Sequence, residues 1–153
     1  MKIKTSELNG AALDWAVAIA VEAWTFAHSY FPTMTHDPTF SGVEARNYPR
    51  GEFASLIPTC VLVPNNPFRQ DPQPFCPSTD WGHGGPLIER FSVTIGKRTD
   101  CPPGPKQWDA FIDTKFCDTA NYANFGHAPL IAACRAIVAA KLGDEVDVPE
   151  ELL

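Results

Sequence analysis

Several features are missing from this sequence, and each absence removes a class of function. There is no C-x-x-C pair and no Cys/His spacing of a zinc site. The five cysteines (Cys60, Cys76, Cys101, Cys117 and Cys134) are widely separated and odd in number. That spacing disfavours both a disulfide framework and a structural metal, so free thiols in a reducing cytoplasm are expected. No apolar run approaches the roughly 20 residues of a membrane helix, and the first residues lack the order of a secretory leader. Basic runs are absent too: Arg46 and Arg50 stand alone, and Lys97-Arg98 is only a pair. With a formal charge of −6, a nucleic-acid partner is not expected, because such binding rests on Lys and Arg neutralising phosphates. No membrane partner is expected either.

The motifs of well-known chemistries are also missing. The chain has no serine elbow, no H-E-x-x-H helix and no Walker loop. His28, His36, His83 and His127 sit in loops, turns or helix ends, and Cys134, which precedes Arg135, lies mid-helix on an apolar stripe and reads as core. Asp109 and Asp113 alternate outward on a strand, while Asp144, Glu145 and Asp147 belong to a solvated tail. No catalytic residue, cofactor or metal ligand is assigned, and the balance leans away from an enzyme.

What the chain does have is proline and a glycine-rich centre. At 153 residues it is long enough for one domain with a real core. Most of its fifteen prolines fall between Pro32 and Pro105, so the middle is expected to be loop-rich and the ends regular. The centre is Pro77-Ser78-Thr79-Asp80-Trp81-Gly82-His83-Gly84-Gly85-Pro86-Leu87-Ile88-Glu89-Arg90. Ser78, Thr79 and Asp80 carry short oxygens that can cap a helix start, and Asp80 places negative charge where the helix dipole favours it. Trp81 is expected in the first turn with its ring covering an edge of the core. A short, interrupted helix over residues 81–90 follows. The same stretch has a second reading: glycine N–H groups at a helix start can hold an anion. Thr79, Asp80, Trp81, Gly82, His83, Gly84 and Gly85 are therefore the candidate ligand-binding residues.

Around that centre the apolar spacing predicts a short edge strand at residues 1–4 and a turn at 5–10. A helix over 11–22 is expected to keep a wet stripe at Asp14 and Glu22. The pattern dissolves over residues 25–50, whose aromatics suit a flap or a subunit contact. A buried strand is expected at 59–63 and coil at 64–77. Two alternating runs, 91–95 and 107–113, suggest an antiparallel hairpin with a long connection. Residues 114–126 read as loop. Residues 129–142 form the strongest helix, with Pro129 in its first turn and Gly143 as its stop. Its stripe is Leu130, Ile131, Cys134, Ile137 and Val138, with Arg135 expected to snorkel to solvent.

Three blocks carry a likeness. Thr5-Ser6-Glu7-Leu8 with Ala12-Leu13-Asp14-Trp15-Ala16-Val17-Ala18 opens the chain. Pro77-Ser78-Thr79-Asp80-Trp81 with Gly84-Gly85-Pro86-Leu87-Ile88-Glu89-Arg90 stands at the centre. Pro129-Leu130-Ile131-Ala132-Ala133 with Lys141-Leu142-Gly143-Asp144-Glu145-Val146 closes it. In this order they resemble the NinX-like family of small phage proteins, and the central and closing blocks are also similar to phage α-β-α sandwich domains. The resemblance implies a sheet flanked by helices and a phage or prophage accessory protein in the cytoplasm of a bacterial host. It supplies no reaction.

The fold expected is α+β: a single-domain α-β-α sandwich over residues 1–153. Its mainly antiparallel sheet is flanked by an N-terminal and a C-terminal helix, with a divergent loop-rich insertion at 25–75. The function expected is binding, first as a protein-interaction module for a host or phage protein. The alternative is a small-molecule, nucleotide-like ligand seated at residues 78–90. Edge strands and loose aromatics are compatible with a homodimer.

Overall fold

The computed structural model describes residues 1–21, 33–37, 59–63, 73–112 and 124–153. Most of the aromatic-rich stretch at 25–50 lies outside them. Strand β1 (Lys2–Lys4) pairs antiparallel with the late strand β8 (Glu145–Asp147), so the two ends of the chain lie together. The register places Ile3 opposite Val146, with Lys2 opposite Asp147 and Lys4 opposite Glu145. The alternation is thus matched on both strands, apolar side inward and opposite charges outward. A 3-10 turn at Thr5–Glu7 follows, and buried Thr5 ties the ends further through its Oγ1, which donates to the Gly143 carbonyl at 2.7 Å.

Helix α1 (Gly10–Val21) covers the expected span to within a residue, but it has no wet stripe. Asp14 and Ala18 are both buried, and Glu22 lies outside the described residues. Trp15 packs against the core as a half-buried side chain. Strands β2 (Thr33–Asp37), β3 (Thr59–Val63) and β4 (Gln73–Pro74) form a three-stranded antiparallel sheet in that order. The expected strand is β3. Strand β2 falls where the sequence pattern dissolves, and its residues Thr-Met-Thr-His-Asp show why: a single strongly apolar residue gives no period to detect. Strand β4 likewise interrupts the expected coil.

Helix α2 (Trp81–Arg90) is continuous rather than interrupted. Pro86 removes the donor that would have reached the carbonyl of Gly82. Both residues lie on the exposed face, where water can serve that carbonyl. Strands β5 (Val93–Lys97), β6 (Trp108–Ile112) and β7 (Asn124–Gly126) build the second three-stranded antiparallel sheet. The expected hairpin is present, with Val93 opposite Ile112 and Ile95 opposite Ala110. Strand β7 sits at the end of a stretch that reads as loop.

Helix α3 (Pro129–Leu142) has the expected bounds, with Pro129 in its first turn and Gly143 ending it at a φ of 94°. That positive φ is a conformation glycine takes without strain. Every residue from 130 to 138 is buried, the mark of a helix covered all round. One side of α3 packs on α1 and the other on β5, β6 and β7, while α1 also borders β3. The protein is therefore α+β with small antiparallel sheets, and its two long helices share the interior. Among the described residues a single apolar cluster joins Leu13 and Val17 of α1, Leu87 of α2, Ala110 of β6, Ile137 and Val138 of α3, and Val146 of β8.

Candidate functional site

The turn that precedes α2 is attached to the body by a buried carboxylate. Residues 75–78 lie mostly inside the protein, whereas Thr79 to Gly82 are exposed. The Ser78 backbone N–H donates to Asp14 Oδ1 at 2.8 Å, which fixes the start of the turn to the middle of α1. Asp14 is 4% exposed and has no cation partner among the described residues. Burial is the main reason its pKa rises from 3.8 to about 7, and the bond from Ser78 opposes the rise only in part. The Ser78 residue is 2% exposed, and its Oγ has no hydrogen-bond partner among the described residues. The hydroxyl still lies close enough to Asp14 to draw its pKa down slightly.

The charge of Asp14 reaches two thiols. Burial first, then Asp14 and Asp80, push the Cys76 thiol up to about 12, and Cys134 of α3 is raised by burial and by Asp14. Thiols held protonated in this way are poor nucleophiles. A substrate would also have to reach Ser78 and Asp14 through almost complete cover. The cluster is thus an anchor for the turn in its geometry, with the proton of Asp14 as its one adjustable part.

Beyond the anchor, the chain caps its own helix. The Thr79 and Asp80 N–H groups donate to the Cys76 carbonyl. Of the three residues able to cap, Asp80 is the N-cap of α2, and its Oδ1 accepts from the Gly82 N–H at 2.7 Å. Its carbonyl accepts from the His83 and Gly84 N–H groups. Three of the N–H groups that an anion would use are therefore taken by Asp80. His83 is half-buried; its Nδ1 accepts from the Cys76 N–H at 3.1 Å, and its ring stacks on Phe75 at 5.9 Å. Gly84 is buried, and a Cβ there would meet the Pro77 carbonyl and come within 2.7 Å of Leu130 Cδ2. Around Gly85 there is open space.

Trp81 is where the structure departs most from the sequence reading. The sequence places its side chain over an edge of the core, yet the residue is 57% exposed. Buried Leu87 and Gly84 hold the inner face of α2 instead. Of the seven candidate residues, Thr79, Asp80, Trp81 and Gly82 face solvent, His83 and Gly85 are partly covered, and Gly84 is a packing position. The anchor at Asp14 and Ser78 is not among the candidates. Its signal is present in the sequence, since Asp14 is the only charged residue in Gly-Ala-Ala-Leu-Asp-Trp-Ala-Val-Ala-Ile-Ala-Val.

A separate groove of about 440 Å³ lies at the start of α1, lined mainly by Ile3, Leu8, Ala11, Ala12, Leu152 and Leu153. No cluster of three or more His, Cys, Asp or Glu side chains fit for a metal occurs among the described residues. No described helix is long and apolar enough to cross a membrane.

The family model for bacteriophage P22 NinX matches residues 4–141 of the chain. No curated protein matches it.

Proposed function

This chain belongs to the bacteriophage P22 NinX family, and from that premise we propose that it is a phage accessory protein that works by binding another protein through the exposed face of α2. One observation carries the reading: a tryptophan 57% exposed stands in the first turn of a helix whose entry is pinned to the core. Tryptophan is enriched among the residues that dominate binding energy at interfaces. A rigid mount also lowers the entropy lost on association. Trp81, Gly82, Gly85, Pro86 and Glu89 fall along one side of α2, and none of them is buried. The low profile of the two glycines lets a partner approach the indole closely.

The small-molecule alternative has less support, because Asp80 already takes the N–H groups of Gly82, His83 and Gly84. The test is affinity capture from phage-infected host cells with the wild-type chain and with Trp81→Ala. We expect one host or phage protein to be retained by the wild type and lost with the variant. Circular dichroism should show both chains equally folded. Equal retention by both chains would remove α2 as the binding face.

A further inference from the structure

We propose that Asp14 and Ser78 form a proton-operated latch that sets how firmly the entry of α2, and with it Trp81, is held to the body of the protein. The inference rests on the binding reading above only for its consequence, since the latch itself can be observed without a partner.

The geometry sets a buried hydroxyl beside a buried carboxyl group. A carboxylate has room for several hydrogen bonds, and Asp14 receives one, from the Ser78 N–H. Beside it the Ser78 Oγ is buried without a partner. A protonated Asp14 gains an O–H that the Ser78 Oγ can accept, while its carbonyl oxygen goes on accepting from the Ser78 N–H. The turn is then held by two hydrogen bonds with no buried charge. Loss of the proton reverses the direction of the hydroxyl bond and leaves a desolvated anion with no cation beside it among the described residues. The cost of that buried charge favours entry of water and loosening of the turn. The groups that share this environment are the Cys76 thiol of the turn, the Cys134 thiol of α3 and, at the exposed edge, Asp80. The two thiols stay neutral near neutral pH, so Asp14 is the group that switches.

The connection to Trp81 is short. Ser78 precedes Thr79 and Asp80, whose N–H groups close the turn on the Cys76 carbonyl, and Asp80 caps the helix that begins at Trp81. A partner held through Trp81 is therefore expected to bind more tightly as pH falls through neutrality.

Nuclear magnetic resonance of the ¹⁵N-labelled full chain from about pH 5 to about pH 8.5 tests this. The signals to follow are the Ser78 amide and the Trp81 indole N–H, the latter identified by its loss in Trp81→Phe. We expect both to follow a single titration centred near 7, with the Ser78 amide exchanging faster at the alkaline end. Asp14→Asn, which can pair with Ser78 as the protonated acid does, should hold both signals at their low-pH positions. Ser78→Ala removes the hydroxyl that draws the pKa of Asp14 down and should move the midpoint up. A Ser78 amide that does not titrate in this range overturns the latch, and so does a midpoint unchanged by Ser78→Ala. A Trp81 indole that stays still while Ser78 titrates overturns the link to the platform. Because none of these readouts uses a partner, failure of the binding reading leaves the result on the latch standing.

Discussion

Asp14 and Arg135 each stand alone as a charge in the middle of an apolar helix, on two helices that touch, yet they do not pair with each other. Each holds backbone instead. Asp14 takes the Ser78 N–H. Arg135, 7% exposed, donates through Nε and Nη2 to the Leu8 carbonyl, through Nη1 to the Phe125 carbonyl, and through Nη2 to Asn9 Oδ1. The expectation that Arg135 snorkels is thus corrected: the loop entering α1 and strand β7 both lie over α3 and need a donor there. The planar fork of arginine serves several carbonyls at once, which lysine cannot do. Arg135→Ala should lower stability by about 3 kcal/mol in urea unfolding, because buried carbonyls lose their donors. Arg135→Lys should recover only part of this. Asp14 makes stability depend on pH with a definite sign. Its folded pKa is raised from 3.8 to about 7, so its contribution is fully present below the unfolded value and is lost as pH rises through the folded one. The thermal unfolding temperature should therefore fall between about pH 4 and about pH 7, and Asp14→Asn should flatten that slope.

At the scale of the element, α2 shows how neighbouring glycines differ in kind. Gly84 sits where a Cβ would press on the Pro77 carbonyl and Leu130, so Gly84→Ala should destabilise by about 1–3 kcal/mol, as overpacking does. Gly85 has nothing within 4 Å of a built Cβ, so Gly85→Ala should stabilise the helix by up to about 1 kcal/mol. Chemical denaturation of the two variants side by side checks the contrast. A cap within Ser78-Thr79-Asp80 was legible in the sequence because short side-chain oxygens before a helix accept from the free N–H groups of its first turn, and the structure assigns the role to Asp80 with Gly82 as donor. The direction of Trp81 was not legible. An aromatic in a first turn suits either the core or solvent, and the choice belonged to Leu87 and Gly84, which occupy the inner face. Strands β2 and β7 escaped for a related reason: Thr-Met-Thr-His-Asp and Asn-Phe-Gly each carry one large apolar residue, so pairing with a neighbour defines them more than any period of their own.

For the whole molecule, one apolar cluster among the described residues runs through both long helices, α2 and strands β5, β6 and β8, which is the condition for unfolding as a unit. Leu13→Ala and Ile137→Ala, one on each long helix, should each lower the same transition by about 2–5 kcal/mol. Fluorescence and circular dichroism should give coincident curves in both variants. Two separate transitions would show that the helices belong to different cooperative units.

Spacing, capping residues and a glycine stop are local properties of the chain, and they suffice to place its regular elements at the two ends and at the centre. Helices α1, α2 and α3, strands β1 and β3 and the β5–β6 hairpin all follow from them. The family likeness rests on the same blocks. What the lone charges do, and which way the central tryptophan points, was settled only by packing. Burial is a property of neighbours brought in from elsewhere in the chain: Asp14 meets Ser78 across 64 positions and Arg135 meets Leu8 across 127. No local pattern encodes separations of that length, and the energy of a buried charge depends on what arrives beside it.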